Sequence, residues 1–215
     1  MLQRCLDAVK AESYQLWLSG EENFRKEIYP LYKANRLDKP RPRHLEPLRQ
    51  YLVETWGARL TEGYEADDAL GIAATELGEN CTICSIDKDL LQIPGYHWNF
   101  VKEVYQVVNN QQALQRFFTQ CLTGDSSDNV KGVSGIGPVK ASRIITDGLS
   151  EREMFDAVRA RFRNDTEFLL TVDLIYILRN EGERWSTMKQ SWMSENLSEL
   201  EQVQESSSIT LIQNT

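Results

Sequence analysis

The stretch EADDALGIAATELGENCTICSIDKD, residues 65–89, decides the fold. From Glu65 to Leu77 it reads as a helix, stopped at Gly78, since a glycine just past the last turn takes the left-handed backbone that ends a helix. Cys81-Thr82-Ile83-Cys84-Ser85-Ile86 then forms the best strand pattern of the chain: short, continuously apolar and bounded by polar residues. Asp87-Lys88-Asp89 leaves its carboxyl end. A helix running into a buried strand predicts a parallel α/β sheet, and sites in such sheets form outside the carboxyl ends of the strands.

Outward from this unit the pattern continues. Residues 1–12 have helical spacing, Tyr14 to Leu18 reads as a short strand, and Leu45 to Trp56 as a helix. Two prolines in Leu37-Asp38-Lys39-Pro40-Arg41-Pro42-Arg43 exclude regular helix, leaving an exposed basic loop. Downstream, Val104 to Val108 reads as a strand. Gln112 to Leu122, Pro138 to Ile145, Glu151 to Phe162 and Glu167 to Arg179 read as helices. Residues 1–122 are expected to form an α/β core, 123–193 a helical region and 194–215 a polar tail.

Acidic residues gather in three groups: Glu65, Asp67 and Asp68; Asp87 and Asp89; Asp125 and Asp128. Each group alone is ordinary, as a helix first turn or a polar turn. All three at matched places, two of them flanking one strand, point to a shared site. Carboxylates collected at one point repel one another and call for cations between them. Oxygen donors without histidine or thiolate favour magnesium or manganese. Two such ions about 3.5–4 Å apart can serve both the attacking and the leaving oxygen of a phosphodiester.

Directly after the third group comes Lys131-Gly132-Val133-Ser134-Gly135-Ile136-Gly137-Pro138-Val139-Lys140, which has the form of a helix-hairpin-helix. Glycine leaves backbone amides open to a phosphate without reading bases, and Lys131 and Lys140 add charge. A second feature mixes aromatics with bases: Asn23-Phe24-Arg25-Lys26 continuing through Tyr32, Lys33 and Arg36. Aromatics stack on unpaired bases while cations hold phosphates. The net charge of −8 opposes a polyanionic partner, but the seven acidic-group charges account for nearly all of it. Cys81 and Cys84 have CxxC spacing, yet i and i+3 of a strand face opposite ways and no second such pair exists. They read as reduced core cysteines of a cytoplasmic protein. No apolar run approaches the ~18 residues of a membrane span.

These segments resemble the structure-specific 5′ nucleases: phage 5′-to-3′ exonucleases, flap endonucleases and the 5′-nuclease domain of bacterial DNA polymerase I, with the phage branch nearest. The resemblance lies in NFRKEIYPLYKANR, GYEADDALG, SIDKDLLQI and TGDSSDNVKGVSGIGPVKA, in that order over roughly residues 17–146. It implies a PIN-like parallel sheet with a helical arch, and metal ligands at Glu65, Asp67, Asp68, Asp87, Asp89, Asp125 and Asp128. It implies that Lys33 and Arg36 act from the arch near the scissile phosphate. Phe24, Arg25, Lys131, Gly132, Gly135, Gly137 and Lys140 would contact DNA bearing 5′ flaps or 5′ ends, with potassium bound at hairpin carbonyls. A monomer is expected.

Two features depart from that family. Its members open with a strand carrying an aspartate, whereas residues 1–12 hold only Asp7 in a helical pattern. A further acidic position falls at Ser19-Gly20. The chain is therefore expected to be truncated, which raises the alternative of a DNA-binding fragment impaired in catalysis. A related ribonuclease and a structural metal-binding protein are weaker readings.

Overall fold

The computed structural model describes residues 1–37 and 39–194; most of the expected polar tail lies outside the described residues. In chain order the elements are α1 (Leu2–Val9), β1 (Trp17–Leu18), α2 (Phe24–Ile28), α3 (Leu45–Trp56), β2 (Arg59–Leu60), α4 (Ala66–Leu77), β3 (Thr82–Cys84), β4 (Gly95–Asn99), β5 (Val104–Val108), α5 (Asn110–Thr123), β6 (Gly124–Asp125), β7 (Val130–Lys131), α6 (Pro138–Ile144), α7 (Glu151–Arg159), α8 (Asp165–Ile175) and α9 (Trp185–Met188). The fold is mixed α/β.

Among the described residues the sheet is in pieces. β1 pairs in parallel with β2, and β3 in parallel with β4, with Ile83 opposite His97. β5 adds antiparallel to β4, so the larger sheet is not wholly parallel as expected. β4 has no counterpart in the sequence reading. Its partner comes from a crossover, and Tyr96-His97-Trp98 carries little apolar alternation. α4 packs against both β1 and β3.

The main core is helical. Phe117, Phe118, Phe155, Phe168 and Trp185 are all almost fully buried, and Phe155 stacks on Trp185 with ring centroids 5.6 Å apart. This cluster also takes in Phe24, Tyr32 and Val130, so the α/β half and the helical half share one apolar interior. A second, smaller cluster of Ala74, Ile83, Leu90, Ile93 and Ile177 joins α4 to the three-stranded sheet.

A buried ion pair of the α/β half reaches across to the helical half through backbone bonds to residues 174–178. The Arg25 guanidinium donates twice to Asp68, at 2.6 and 2.8 Å, and the pair is buried, Asp68 fully. Arg25 Nε and Nη2 donate to the carbonyls of Leu174 and Tyr176. Asp68 also accepts from the amides of Leu178 (3.0 Å) and Glu65 (2.9 Å). Burial would lower the Arg25 pKa, but the bonds from Asp68 outweigh it and keep the guanidinium charged. Gly71, one turn along α4, lets the same strap come close: a Cβ there would lie 2.4 Å from the Leu178 carbonyl oxygen.

The first residues do pack. α1 ends in the left-handed Lys10 and buries Cys5. All four cysteines are free thiols, Cys81 and Cys84 being half-buried rather than fully in the core. No helix among the described residues is long and apolar enough to cross a membrane.

Two outcomes follow. Asp68→Ala leaves a buried guanidinium without its counter-charge and should destabilise the fold by about 3–5 kcal/mol, read from urea unfolding. His97 is buried, with Nε2 2.8 Å from the Ile93 carbonyl, and burial lowers its pKa. A depressed imidazole adds stability above its unfolded value of 6.5 and loses it as pH falls below that. His97→Gln should therefore show a smaller fall in urea midpoint between pH 7 and pH 5 than the parent protein does.

Candidate functional site

α4 begins where Ser19, at the end of β1, accepts a hydrogen bond from the Ala66 amide (3.0 Å). Ser19 thus caps the helix at the position where the family resemblance anticipated an acid, and Gly20 beside it is needed because a Cβ would lie 2.1 Å from the Thr61 carbonyl. Asp68 turns inward, while Asp67 and Glu65 are half-buried in the same first turn. β3 ends at Cys84, and Asp87 and Asp89 follow in a turn in which the Asp89 amide donates to Asp87 (2.9 Å). A short 3₁₀ segment, Asp89–Gln92, then anchors that turn by burying Leu90 and Gln92. Asp125 lies in β6, and its Oδ1 accepts from both the amide and the hydroxyl of Ser127 at 2.7 Å.

Six of the seven predicted carboxylates form a chain of neighbours. Asp67 is pushed up to about 7, first by burial, then by the charges of Asp87 and Glu65. Asp89 is raised chiefly by burial, with Asp87 and Asp125 adding to the effect. Burial works upward on Asp125 too, but the Ser127 bonds outweigh it and hold its carboxyl low. At the far end Tyr32 closes the chain: its hydroxyl donates to Glu65 (3.0 Å) and Asp128 (2.9 Å). The seventh, Asp68, is a correction. It is spent on Arg25 and two backbone amides in the interior and has no lone pair to offer a ligand.

Lys33 and Arg36 meet the site directly. Lys33 takes a left-handed backbone, φ 56°, and its ammonium pairs with Glu65 and, at 3.5 Å, with Asp128. Arg36 pairs with Asp128 and donates to the Ser127 carbonyl (3.0 Å). Backbone bonds fix the approach: the Lys33 amide donates to the Asp128 carbonyl (2.8 Å) and Asn129 Nδ2 to that of Leu31. These residues therefore form a 3₁₀ turn docked on the 125–129 loop, not a free-standing helix. α3 beyond them buries no residue and is tied to β1 through Arg49 and the Ser19 carbonyl.

Phe24 and Arg25 are further corrections. Both are buried, Phe24 in the core beneath Arg184, so neither faces a polymer. An arginine in a basic segment reads as exposed, and only its nonlocal partner Asp68 reveals otherwise. In the hairpin, a Cβ on Gly132 would lie 2.3 Å from backbone atoms of Thr123 and Gly124, so this glycine serves the close approach of β6 and β7. Gly135 (φ 75°) and Gly137 face open space, and Lys131 and Lys140 are exposed. Lys140 Nζ donates to the Gly135 carbonyl (2.8 Å), so that carbonyl already carries a cation. Sequence reasoning took Tyr32 only as one aromatic of the basic segment and passed over Arg116 and Gln120; the roles of all three depend on what lies opposite them.

The donor set fits a divalent cation in chemistry: all oxygen, mutually repelling, with Asp67 raised by burial and then by its neighbours' charge. Among the described residues no three acidic, cysteine or histidine side chains converge into a cage. A strongly hydrated ion such as magnesium, which retains several waters and takes one or two carboxylates, needs none. Asp67 with Asp87, and Asp89 with Asp125, are the neighbouring pairs whose charges act on one another.

The family model for the 5′-3′ exonuclease, N-terminal resolvase-like domain, matches residues 1–118. The flap endonuclease Xni of Vibrio parahaemolyticus is 35% identical over 169 residues, covering 67% of this chain and 59% of that protein. DNA polymerase I of Rhizobium leguminosarum is 33% identical over 147 residues; the match takes in 59% of this chain and only 14% of the polymerase. In three dimensions the chain is similar to a bacteriophage T5 flap endonuclease crystallised with DNA and metal ions. The TM-score is 0.62 at 20% identity, with 81% of this chain and 77% of that one covered, which shows a common fold. By its matched N-terminal half, the chain belongs to the 5′-3′ exonuclease family.

Proposed function

We propose that this chain is a divalent-metal-dependent nuclease that hydrolyses DNA phosphodiesters near 5′ ends or 5′ flaps. The observation that carries the reading is the continuous run of carboxylates from Glu65 to Asp128, closed by Tyr32, Lys33 and Arg36 and followed at once by the glycine hairpin. Magnesium or manganese held by Glu65, Asp67, Asp87, Asp89, Asp125 and Asp128 would supply charge neutralisation and an activated water. Lys33 and Arg36 hold the phosphate at the Asp128 end of the run. Lys131, Lys140 and the open amides around Gly135 and Gly137 grip the backbone of the duplex without selecting its sequence. In this role residues 123–193 carry the duplex-binding hairpin together with Asp125 and Asp128, and residues 1–122 supply the rest of the cleaving site. The protein acts as a monomer in the cytoplasm, and potassium at the hairpin would share its carbonyls with Lys140, whose ammonium donates to that of Gly135.

A DNA-binding module without turnover is the second reading. It is favoured by the lack, among the described residues, of three groups converging on one cation position. One experiment separates the two. With a 5′-flap duplex in magnesium or saturating manganese, the parent protein should release a flap product. Asp87→Asn should slow release by roughly 100-fold or more, beyond the 10–100-fold typical of residues one step removed from a metal, and bind the duplex as before. Binding without any cleavage by the parent protein would leave the module reading in its place.

A further inference from the structure

The half of the site formed by Asp89 and Asp125 owes its geometry to one face of α5. Arg116 and Gln120 stand one helical turn apart on that face, the i, i+4 spacing that brings side chains together. Arg116 Nη2 donates to Asp89 at 2.9 Å. Gln120 Nε2 lies 3.4 Å from Asp125 Oδ2, and the Gln120 amide also favours the charged form of Asp89. Neither side chain is held casually. Gln120 is 8% exposed, and its Oε1 accepts from Gln92 Nε2 at 3.0 Å; that same nitrogen donates to the Ile175 carbonyl at 3.1 Å. Gln92 is 2% exposed and sits in the 3₁₀ segment that Asp89 opens. A chain of amides thus runs from the strap after α8, through Gln92 and Gln120, to Asp125.

An amide has one donor end and one acceptor end. With Gln120 Oε1 occupied by Gln92, its nitrogen must point to the carboxylates, so the buried network fixes the direction of the bond. Arg116, Gln120, Asp87, Asp89 and Asp125 line one groove of about 590 Å³. The α5 residues are its wall and the carboxylates its opposing edge.

We propose that Arg116 and Gln120 are positioning residues, which orient Asp89 and Asp125 for a divalent cation shared between them. This rests on the metal-dependent reading above. Outer partners of this kind set the direction and basicity of ligating carboxylates, and losing one typically weakens metal binding or activity 10–100-fold.

The test uses two substitutions that leave the local charge unchanged, so that a loss reports orientation. Gln120→Met keeps the volume and removes the donor. Arg116→Lys keeps the charge and removes the planar fork. Manganese binding is measured by titration calorimetry on the full chain, thermal midpoints by calorimetry, and cleavage of a 5′-flap duplex by steady-state kinetics. Each variant is expected to bind manganese about 10-fold more weakly. kcat should fall, KM for DNA should hold, and for Arg116→Lys the thermal midpoint should stay that of the parent. Parental manganese affinity in both variants overturns the proposal, even if cleavage persists. A raised KM with unchanged manganese affinity also overturns it, since Arg116 would then be touching DNA. The expected loss of manganese affinity in a protein that cleaves nothing would sustain the positioning role and remove the nuclease reading. No manganese binding by the parent protein would remove both.

Discussion

The buried pair of Arg25 and Asp68 sets the rest of the structure. Four segments meet on it: α2, the first turn of α4, the strap from Leu174 to Leu178 and, through Phe24 stacked under Arg184, the start of α9. A buried pair of charges is tolerated only when its remaining donors and acceptors are satisfied. Here two carbonyls and two amides do that. The consequence reaches the surface. Successive residues on a helix point about 100° apart. Committing Asp68 to the interior leaves its neighbour Asp67 on another side of the helix, where the charge of Asp87 acts on it. The structural aspartate thereby fixes where the proposed ligand stands.

Charge is then compensated unevenly along the site. At one end Tyr32, Lys33 and Arg36 supply donors and positive charge to Glu65 and Asp128. At the other, Arg116, Gln120 and Ser127 serve Asp89 and Asp125. In the middle, burial first and then the charges of Asp87 and Glu65 raise the Asp67 carboxyl to about 7. A cation gains most where anions are least neutralised by the protein itself. On the proposed reading, cations supply along the run the neutralisation that the protein gives chiefly at its ends, while Arg116 and Gln120 orient the carboxylates at the Asp89–Asp125 end.

Much of this was legible in the sequence. The helix from residue 65 to 77, the strand that follows and the acids at its end fell where the periodicity and glycines placed them, because those signals are local. What failed was nonlocal. Asp67 and Asp68 are chemically identical neighbours, and nothing short of Arg25's position tells which one is buried. Arg25 itself sits among exposed bases, and its fate is decided by carbonyls about 150 residues away. β4 was missed because its partner strand lies across a turn and a 3₁₀ segment. Arg116 and Gln120 read as the polar face of an amphipathic helix, and only the strap behind them shows that this face looks inward.

The hairpin shows the same division within a few residues. Gly132 and Gly135 look alike in the sequence, three apart in one loop. Gly132 is there because the β6–β7 backbone passes within 2.3 Å of any side chain it could carry, so its role is structural and an alanine would break the pairing that presents Asp125. Gly135 meets no neighbour, and its constraint is the left-handed φ of 75° that turns Val133 to Ile136 and leaves amides outside. The first glycine fixes the acidic loop from below. The second shapes the surface beyond it. Because β6 and β7 connect the two, a ligand gripped at the hairpin is registered against Asp125 by a single short ribbon of backbone, which is why the acidic loop and the glycine turn sit side by side in the chain.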